Sequence, residues 1–323
     1  MRFPTIAPAT LIAAISVVLL TGCSGTGVQP STTSRLQTAA DSFTRQSPNT
    51  SGAYVYTCAP AHTTTGQGKG NCTVYDTSGH ILAQLTPDDD LSYPWGTALF
   101  GGNWYIANSG FEQIRVYTQG TSPQYVGTLS DPSAYPIDVA VYGVNGKVKL
   151  VAVANNSSPD SGPGGAVIYK GDASYPSYSL TMPSGTLYGL GIAFDSKGDC
   201  VFSYGGAGRG GYLLMYKKCA GNYTQLNIKI HYPGGVIFDQ HDNLITIDQE
   251  RGIVICAGTS NCNVAIPGHN FFDLSINSAG TDLWVTRYSS GEILDYAYPG
   301  LTLKSKFRPK DSKTMPAAGI AAN

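Results

Sequence analysis

From about residue 53 onward, apolar and polar residues alternate over short runs, and clusters of Gly, Asn, Asp and Ser separate the runs. Alternation with a period of two predicts half-buried strands, and the clusters predict turns. One stretch shows the unit. Residues 96–100 predict a strand, 101–103 a tight turn, and 104–107 a second strand. Residues 108–112 turn again, 113–117 form a third strand and 125–129 a fourth. The unit opens on a phrase that returns. Tyr93-Pro94-Trp95-Gly96-Thr97-Ala98-Leu99 is echoed by Tyr135-Pro136-Ile137-Asp138, Tyr188-Gly189-Leu190-Gly191 and Tyr232-Pro233-Gly234-Gly235. Looser copies contain Phe271-Phe272-Asp273 and Ala317-Ala318-Gly319. The anchors Gly96, Asp138, Gly191, Gly235, Asp273 and Gly319 lie 38 to 53 residues apart.

A period of that length marks stacked β units such as propeller blades. Full copies start near Pro94, Pro136, Tyr188, Pro233 and Phe271. A further copy is split: residues 53–85 supply three strands, and residues 319–322 supply the missing inner one. The expected fold is therefore all-β, a six-bladed β-propeller of four-stranded blades whose ring is closed by the C-terminal strand. Closure leaves no inner edge unpaired. The alternative is seven blades, with one repeat hidden in residues 136–186. The third strand carries its own echo in Val74-Tyr75, Val116-Tyr117, Ile168-Tyr169, Met215-Tyr216 and Asp295-Tyr296. Such a tyrosine is expected to pack between sheets and reach an edge partner with its hydroxyl.

The copy from Pro94 to Tyr117, with Tyr105-Ile106-Ala107-Asn108-Ser109 and Ile114-Arg115-Val116-Tyr117, resembles an NHL repeat. A second match runs from Pro233 through Asp242-Asn243-Leu244-Ile245-Thr246-Ile247-Asp248, with Asp248 at the Asn108 position. The resemblance spans residues 53–323 and implies a propeller rather than an activity.

Two segments precede the repeats. Residues 1–23 read as a targeting segment: Arg2, an apolar run from Ile6 to Leu20, then Leu20-Thr21-Gly22-Cys23. That ending resembles the lipobox of bacterial lipoproteins, which implies acylation of Cys23 and a membrane-anchored, extracytoplasmic protein of the cell envelope. Residues 24–52 are rich in Ser, Thr, Gly, Gln and Pro and read as a flexible linker, spanning roughly 30 Å as a random chain. Setting Cys23 aside leaves six cysteines in an exported chain, for which fifteen pairings exist. The repeat frame favours Cys58–Cys72, Cys200–Cys219 and Cys256–Cys262, each flanking one hairpin.

Composition narrows the partners. Charged residues make up 13% of the chain, the formal net charge is −1, and no basic tract occurs. Nucleic acid is not an expected partner, because phosphate binding relies on clustered Lys and Arg. A monomer is expected. Gly206-Ala207-Gly208-Arg209-Gly210-Gly211 lies between predicted strands and opens no helix, so it is not a dinucleotide site.

In a propeller, the loops before the inner strands and after the second strands share one face. The repeat frame places Asp88-Asp89-Asp90, Tyr93, Tyr135, Tyr188, His231, Tyr232 and His269 before inner strands. It places Asn108, Asn155, Asn156, Tyr204, Asp248, Glu250 and Arg287 after second strands. His231 and His269 hold equivalent positions in adjacent copies and form the best pair for acid–base or metal chemistry. The gluconolactonase/senescence-marker-protein and paraoxonase families use six blades and a channel metal held by Glu, Asn and Asp. Asn108, Asn155 and Asp248 partly imitate that set, without the glutamate of the first blade. No metal or other cofactor is assigned, a divalent cation being the one candidate. No catalytic residue is assigned. The sequence favours a non-enzymatic binding or scaffolding module for a protein, peptide or glycan. Its ligand is expected near Asn108, Asn155, His231, Asp248, His269, Tyr93 and Tyr232. A metal-dependent hydrolase or lactonase of gluconolactonase type is the alternative.

Overall fold

The computed structural model describes residues 53–60, 70–132, 135–157, 164–206, 210–309 and 316–323. The expected targeting segment, the linker and Cys23 lie outside them. The described residues fold almost wholly into strands joined by turns.

The first sheet combines β1 (Tyr54–Pro60), β2 (Gly70–Asp76) and β3 (Ile81–Leu85) with the last strand of the chain, β24 (Gly319–Ala322), in the order β24-β1-β2-β3. The next holds β4 (Pro94–Phe100), β5 (Asn103–Asn108), β6 (Gln113–Thr118) and β7 (Tyr125–Ser130). Two later four-stranded sheets follow the same plan. One is β16 (Pro233–Phe238), β17 (Leu244–Asp248), β18 (Gly252–Ala257) and β19 (Ser260–Pro267). The other is β20 (Phe271–Ile276), β21 (Asp282–Arg287), β22 (Glu292–Ala297) and β23 (Leu303–Phe307).

Between these lies a larger, eight-stranded sheet. It contains β8 (Tyr135–Val144), β9 (Lys147–Asn156), β10 (Gly165–Lys170) and β11 (Tyr178–Ser179). It continues through β12 (Thr186–Phe194), β13 (Cys200–Gly206), β14 (Gly211–Tyr216) and β15 (Tyr223–Gln225). The repeat pattern predicts two separate sheets here. Instead the long β9 and the early-starting β12 overlap at their ends, and Tyr188 pairs with Asn156.

Apolar clusters join each group of strands to the next in a circle. Tyr56, Val74 and Leu85 meet Trp104, Ile106 and Tyr117. Tyr105 and Val116 meet Val139, Val153 and Tyr169, and Ile168 meets Phe202 and Tyr216. Val201 and Leu213 meet Val236 and Val254, and Ile247 and Ile253 meet Phe271 and Val285. Trp284 and Ile293 return to Val55, Tyr75 and Ile320. Burying both faces of each sheet against its neighbours produces a propeller-like ring. The ring is fastened where β24 pairs antiparallel with β1, Ala322 opposite Val55 and Gly319 opposite Cys58.

The third-strand tyrosines tie neighbouring sheets as expected. The hydroxyls of Tyr117, Tyr169 and Tyr216 donate to the carbonyls of Asp89 (2.7 Å), Ser130 (2.9 Å) and Thr181 (2.8 Å), each on the segment leaving the preceding group of strands. The disulfides are Cys58–Cys72, Cys200–Cys219 and Cys256–Cys262, as the repeat frame predicts. Two of them link residues directly opposite in register.

Candidate functional site

Five of the six anchors lie in or beside bulges of the inner strands, and the sixth, Gly319, opens the regular strand β24. Register shifts fall between Pro94 and Thr97, Pro136 and Asp138, Gly189 and Gly191, Pro233 and Val236, and Phe271 and Leu274. A bulge bends its strand and re-aims its side chains. Here the bulges bring backbones together in a girdle. A β-carbon on Gly96 would strike the Asp138 carboxylate, and one on Gly235 would strike that of Asp273. One on Gly319 would strike the carbonyl of Trp95, and one on Gly191 would lie 3.0 Å from the backbone of Gly235.

Each buried aspartate then clamps the next inner strand. Asp138 accepts from the Val139 N–H at 2.9 Å and the Ile192 N–H at 3.0 Å. Asp273 accepts from the Leu274 N–H at 2.8 Å and the Ile320 N–H at 2.9 Å. Burial pushes the Asp273 carboxyl up to about 7. Burial, and then the charge of Asp273, hold Asp138 well above the usual carboxylate range. Both groups are fully engaged by backbone donors, so their work is architectural.

Above the girdle, on the face where the chain enters the inner strands, aromatic rings gather. Trp95 and Phe272 each precede an anchor by one residue, in β4 and β20. Their ring centroids are 5.5 Å apart. Both strands flank β24, whose counterpart residue is the small Ala318, which leaves space for the two rings to meet. Tyr288 follows β21 and lies 5.3 Å from Phe272 and 6.2 Å from Trp95, stacked on the latter. The Tyr135 hydroxyl lies beside the Trp95 indole N–H, which lacks a well-aligned acceptor. Burial, and then the neighbouring Tyr135, raise the Tyr288 hydroxyl to about 12. Tyr93, next to Tyr135, holds a left-handed backbone (φ +48°), a strained conformation for a bulky residue. These rings are only half-buried. Tyr188 and Tyr232 add a second, more exposed aromatic pair (38% and 40%).

The polar residues singled out in the sequence serve this face from beneath. Asn108 and Asp248 end equivalent second strands and pair with Pro94 and Pro233. Asn108 accepts from the Ser92 N–H (2.7 Å) and donates to the Asp90 carbonyl (2.9 Å). Asp248 accepts from the backbone N–H groups of His231 (3.0 Å) and Glu250 (3.1 Å). Both side chains thus hold the loops that present Tyr93 and Tyr232. Asn155 occupies the same position opposite Pro136 and turns its amide to Asp131. Burial raises the Asp131 carboxyl to about 6, the Asn155 amide opposing the shift and Glu112 adding to it. One oxygen of Asn155 and one of Asp131 have no hydrogen-bond partner. Arg287, the next equivalent, stacks 4.9 Å from the Phe271 ring and pairs with Glu292 at 3.3 Å.

His231 lies 3.6 Å from Glu250, His269 is exposed, and no hydrogen bond joins the two histidines. Asp89 caps its own turn through the Thr86 N–H, and Asp90 pairs with Arg115 at 3.1 Å. Tyr204 is buried in a stack with Tyr212. Among the described residues, no group of three or more His, Cys, Asp or Glu side chains stands ready to hold a metal ion. Sequence reasoning missed Trp95, Phe272, Tyr288 and Asp131. For the first two, their place one residue before an anchor was a usable signal.

A chain of the crystal structure of a nidogen/laminin complex superposes with a TM-score of 0.59 at 15% sequence identity, covering 83% of this chain and 98% of that one. At that identity the likeness shows the fold. Apo AztD from Citrobacter koseri superposes with a TM-score of 0.49 at 10% identity, covering 84% of this chain and 98% of the other. No protein-family model matches the chain. No curated protein matches it either.

Proposed function

We propose that this protein is a binding or scaffolding module of the bacterial cell envelope: a monomeric six-bladed propeller, acylated at Cys23, that captures a peptide or glycan on its aromatic face. The observation that carries the reading is the cluster of Trp95, Phe272, Tyr288 and Tyr135 lying half-exposed over a closed girdle. Rings held rigid by packing, with hydroxyls at their edge, suit the flat faces of sugars and the apolar side chains of peptides. The six-blade count is supported by the cyclic order of anchors, each touching the next from Gly96 round to Gly319. The NHL-like phrases around Asn108 and Asp248 agree with it, since these two side chains do the same job in two sheets. The ligand contacts Tyr93 and Tyr232 sit at the rim, with Asn108 and Asp248 positioning them. His231 and His269 complete the rim, and Asn155 lies buried beneath it.

Glycan and peptide arrays probed with the purified protein test the reading. Hits weakened at least tenfold by Trp95→Ala, with folding intact, are expected. Arrays without hits, or hits indifferent to Trp95, would overturn it. The anchor is tested separately: Cys23→Ser should release the protein from the membrane fraction.

A further inference from the structure

The opposite face carries a cavity of about 290 Å³ beside the seam where the ring closes. Tyr54 and Asn323 form one wall and are bonded to each other. The Tyr54 N–H donates to Asn323 Oδ1 (2.7 Å), and the Asn323 N–H donates to the Tyr54 carbonyl (3.2 Å). Asp282, Trp284, Asp295 and Lys304 form the other wall. The volume is at the low end for small-molecule sites, about 300 Å³ and upward.

Asp295 does not belong there on packing grounds. It occupies the third-strand position just before the repeated tyrosine, and every other copy is apolar at that point: Val74, Val116, Ile168, Met215 and Val254. Four of those five are buried and Met215 is partly so. Asp295 is buried too, only 5% exposed. A carboxyl taken out of water must find donors, or the fold loses stability. Its Oδ2 lies 3.8 Å from Lys304 Nζ and 3.5 Å from Ser305 Oγ, while Oδ1 has no hydrogen-bond partner. A local rule is broken and compensated at one oxygen only, which is the mark of a functional position.

The chemistry around it defines the missing group. Asp282 is fully engaged by Lys304, by Asn277 Nδ2 (2.8 Å) and by Thr281 Oγ1 (2.8 Å). Lys304 is therefore shared between two carboxylates and already sits where a divalent cation would bind. What remains is one unpaired acceptor, a deficit of one positive charge, and the aromatic Trp284 in the lining. Aromatic rings favour cations. We propose that this cavity binds the ammonium group of a small organic amine, with Asp295 Oδ1 as its acceptor. Burial holds the Asp295 carboxyl above its ordinary range in the free protein, with Lys304 opposing the shift and Asp282 adding to it. An incoming ammonium supplies the countercharge that is lacking. Because the walls come from both ends of the ring, an occupant also fastens the seam.

The test is calorimetric and NMR titration of the full chain with ethanolamine and putrescine, against ethylene glycol and calcium chloride. At least one amine should saturate a single site, shift the Trp284 indole resonance and slow amide exchange in β24. Asp295→Val installs the residue type of the other copies, so it should fold, and it should weaken the amine by at least tenfold. Asp295→Asn, which keeps shape and removes charge, should weaken it less. The proposal fails if no amine binds saturably, if Asp295→Val and Asp295→Asn both bind undiminished, or if ethylene glycol or calcium occupies the site as tightly as the amines.

Discussion

The two faces of the ring are built from the same turns and use their polar groups in opposite ways. On the lower face, carboxylates are consumed by their own loops. Asp76 accepts from the N–H groups of Ser78 and His80, and Asp195 from those of Lys197 and Asp199. Asp239 accepts from those of His241 and Asn243, and Asp242 reaches across to the Ser196 N–H (2.8 Å) and hydroxyl (2.7 Å). On the upper face, the polar side chains lie beneath and aromatic rings lie on top. The hydrogen bonding of the lower face is largely satisfied internally, whereas the upper rings have area left to offer. The difference leaves aromatic area exposed on the upper face. It also makes Asp295, an unsatisfied carboxyl among satisfied ones, stand out.

The girdle between the faces should be the least tolerant part of the molecule. Gly319→Ala or Gly96→Val forces backbone apart at a point of direct contact, and a loss of at least about 3 kcal/mol is expected in urea unfolding. Asp273→Asn comes next. It replaces an acceptor by an NH₂ group facing either the Leu274 or the Ile320 N–H, which should cost about 2 kcal/mol.

The pH response divides the carboxylates in the same way. Asp131 (about 6) and Asp273 (about 7) have folded values above the model-peptide value of 3.8. Their contribution is complete below that value and is lost as pH rises through 6 and 7. Asp131 alone accounts for about 3 kcal/mol, at about 1.4 kcal/mol per unit. On the lower face, backbone N–H donors lower Asp76 and Asp242, so their contribution is present above 3.8 and lost in acid. Unfolding free energy should therefore fall between about pH 4 and pH 7, and Asp273→Asn should flatten the upper part of that slope. A smaller effect is expected from Trp95→Ala: at least tenfold weaker capture of array ligands, with a modest change in melting temperature. Smallest of all is Tyr169→Phe, which leaves the Ser130 carbonyl without its donor and should cost about 1 kcal/mol.

Much of this architecture is legible in the sequence because the repeat is physical. Where inner strands crowd together, only Gly or a clamping Asp fits at the anchor, so Gly96, Asp138, Gly191, Gly235, Asp273 and Gly319 announce themselves. The third-strand tyrosines do so for the same reason. The disulfide partners fall in the same hairpins, where the register puts Cys58 opposite Cys72 and Cys256 opposite Cys262. The candidate site was legible only as a face. Trp95, Phe272 and Tyr288 become neighbours once β24 slots between β4 and β20, and no local pattern links residues so far apart. Asn108 and Asp248 were visible as special, but their role in holding loops appears only from the donors that reach them. Asp131 has no motif, and its burial comes from packing alone.

The pairing of Val55 with Ala322 has a consequence for biosynthesis. A growing polypeptide assembles its later sheets from contiguous stretches as they emerge from the ribosome. The first sheet is the exception. Its β1 must wait, one margin bare, until residues 319–322 have been made. Closure of the ring is thereby coupled to synthesis of β24, and a product cut short before that strand would expose a strand margin that chaperones and proteases can read.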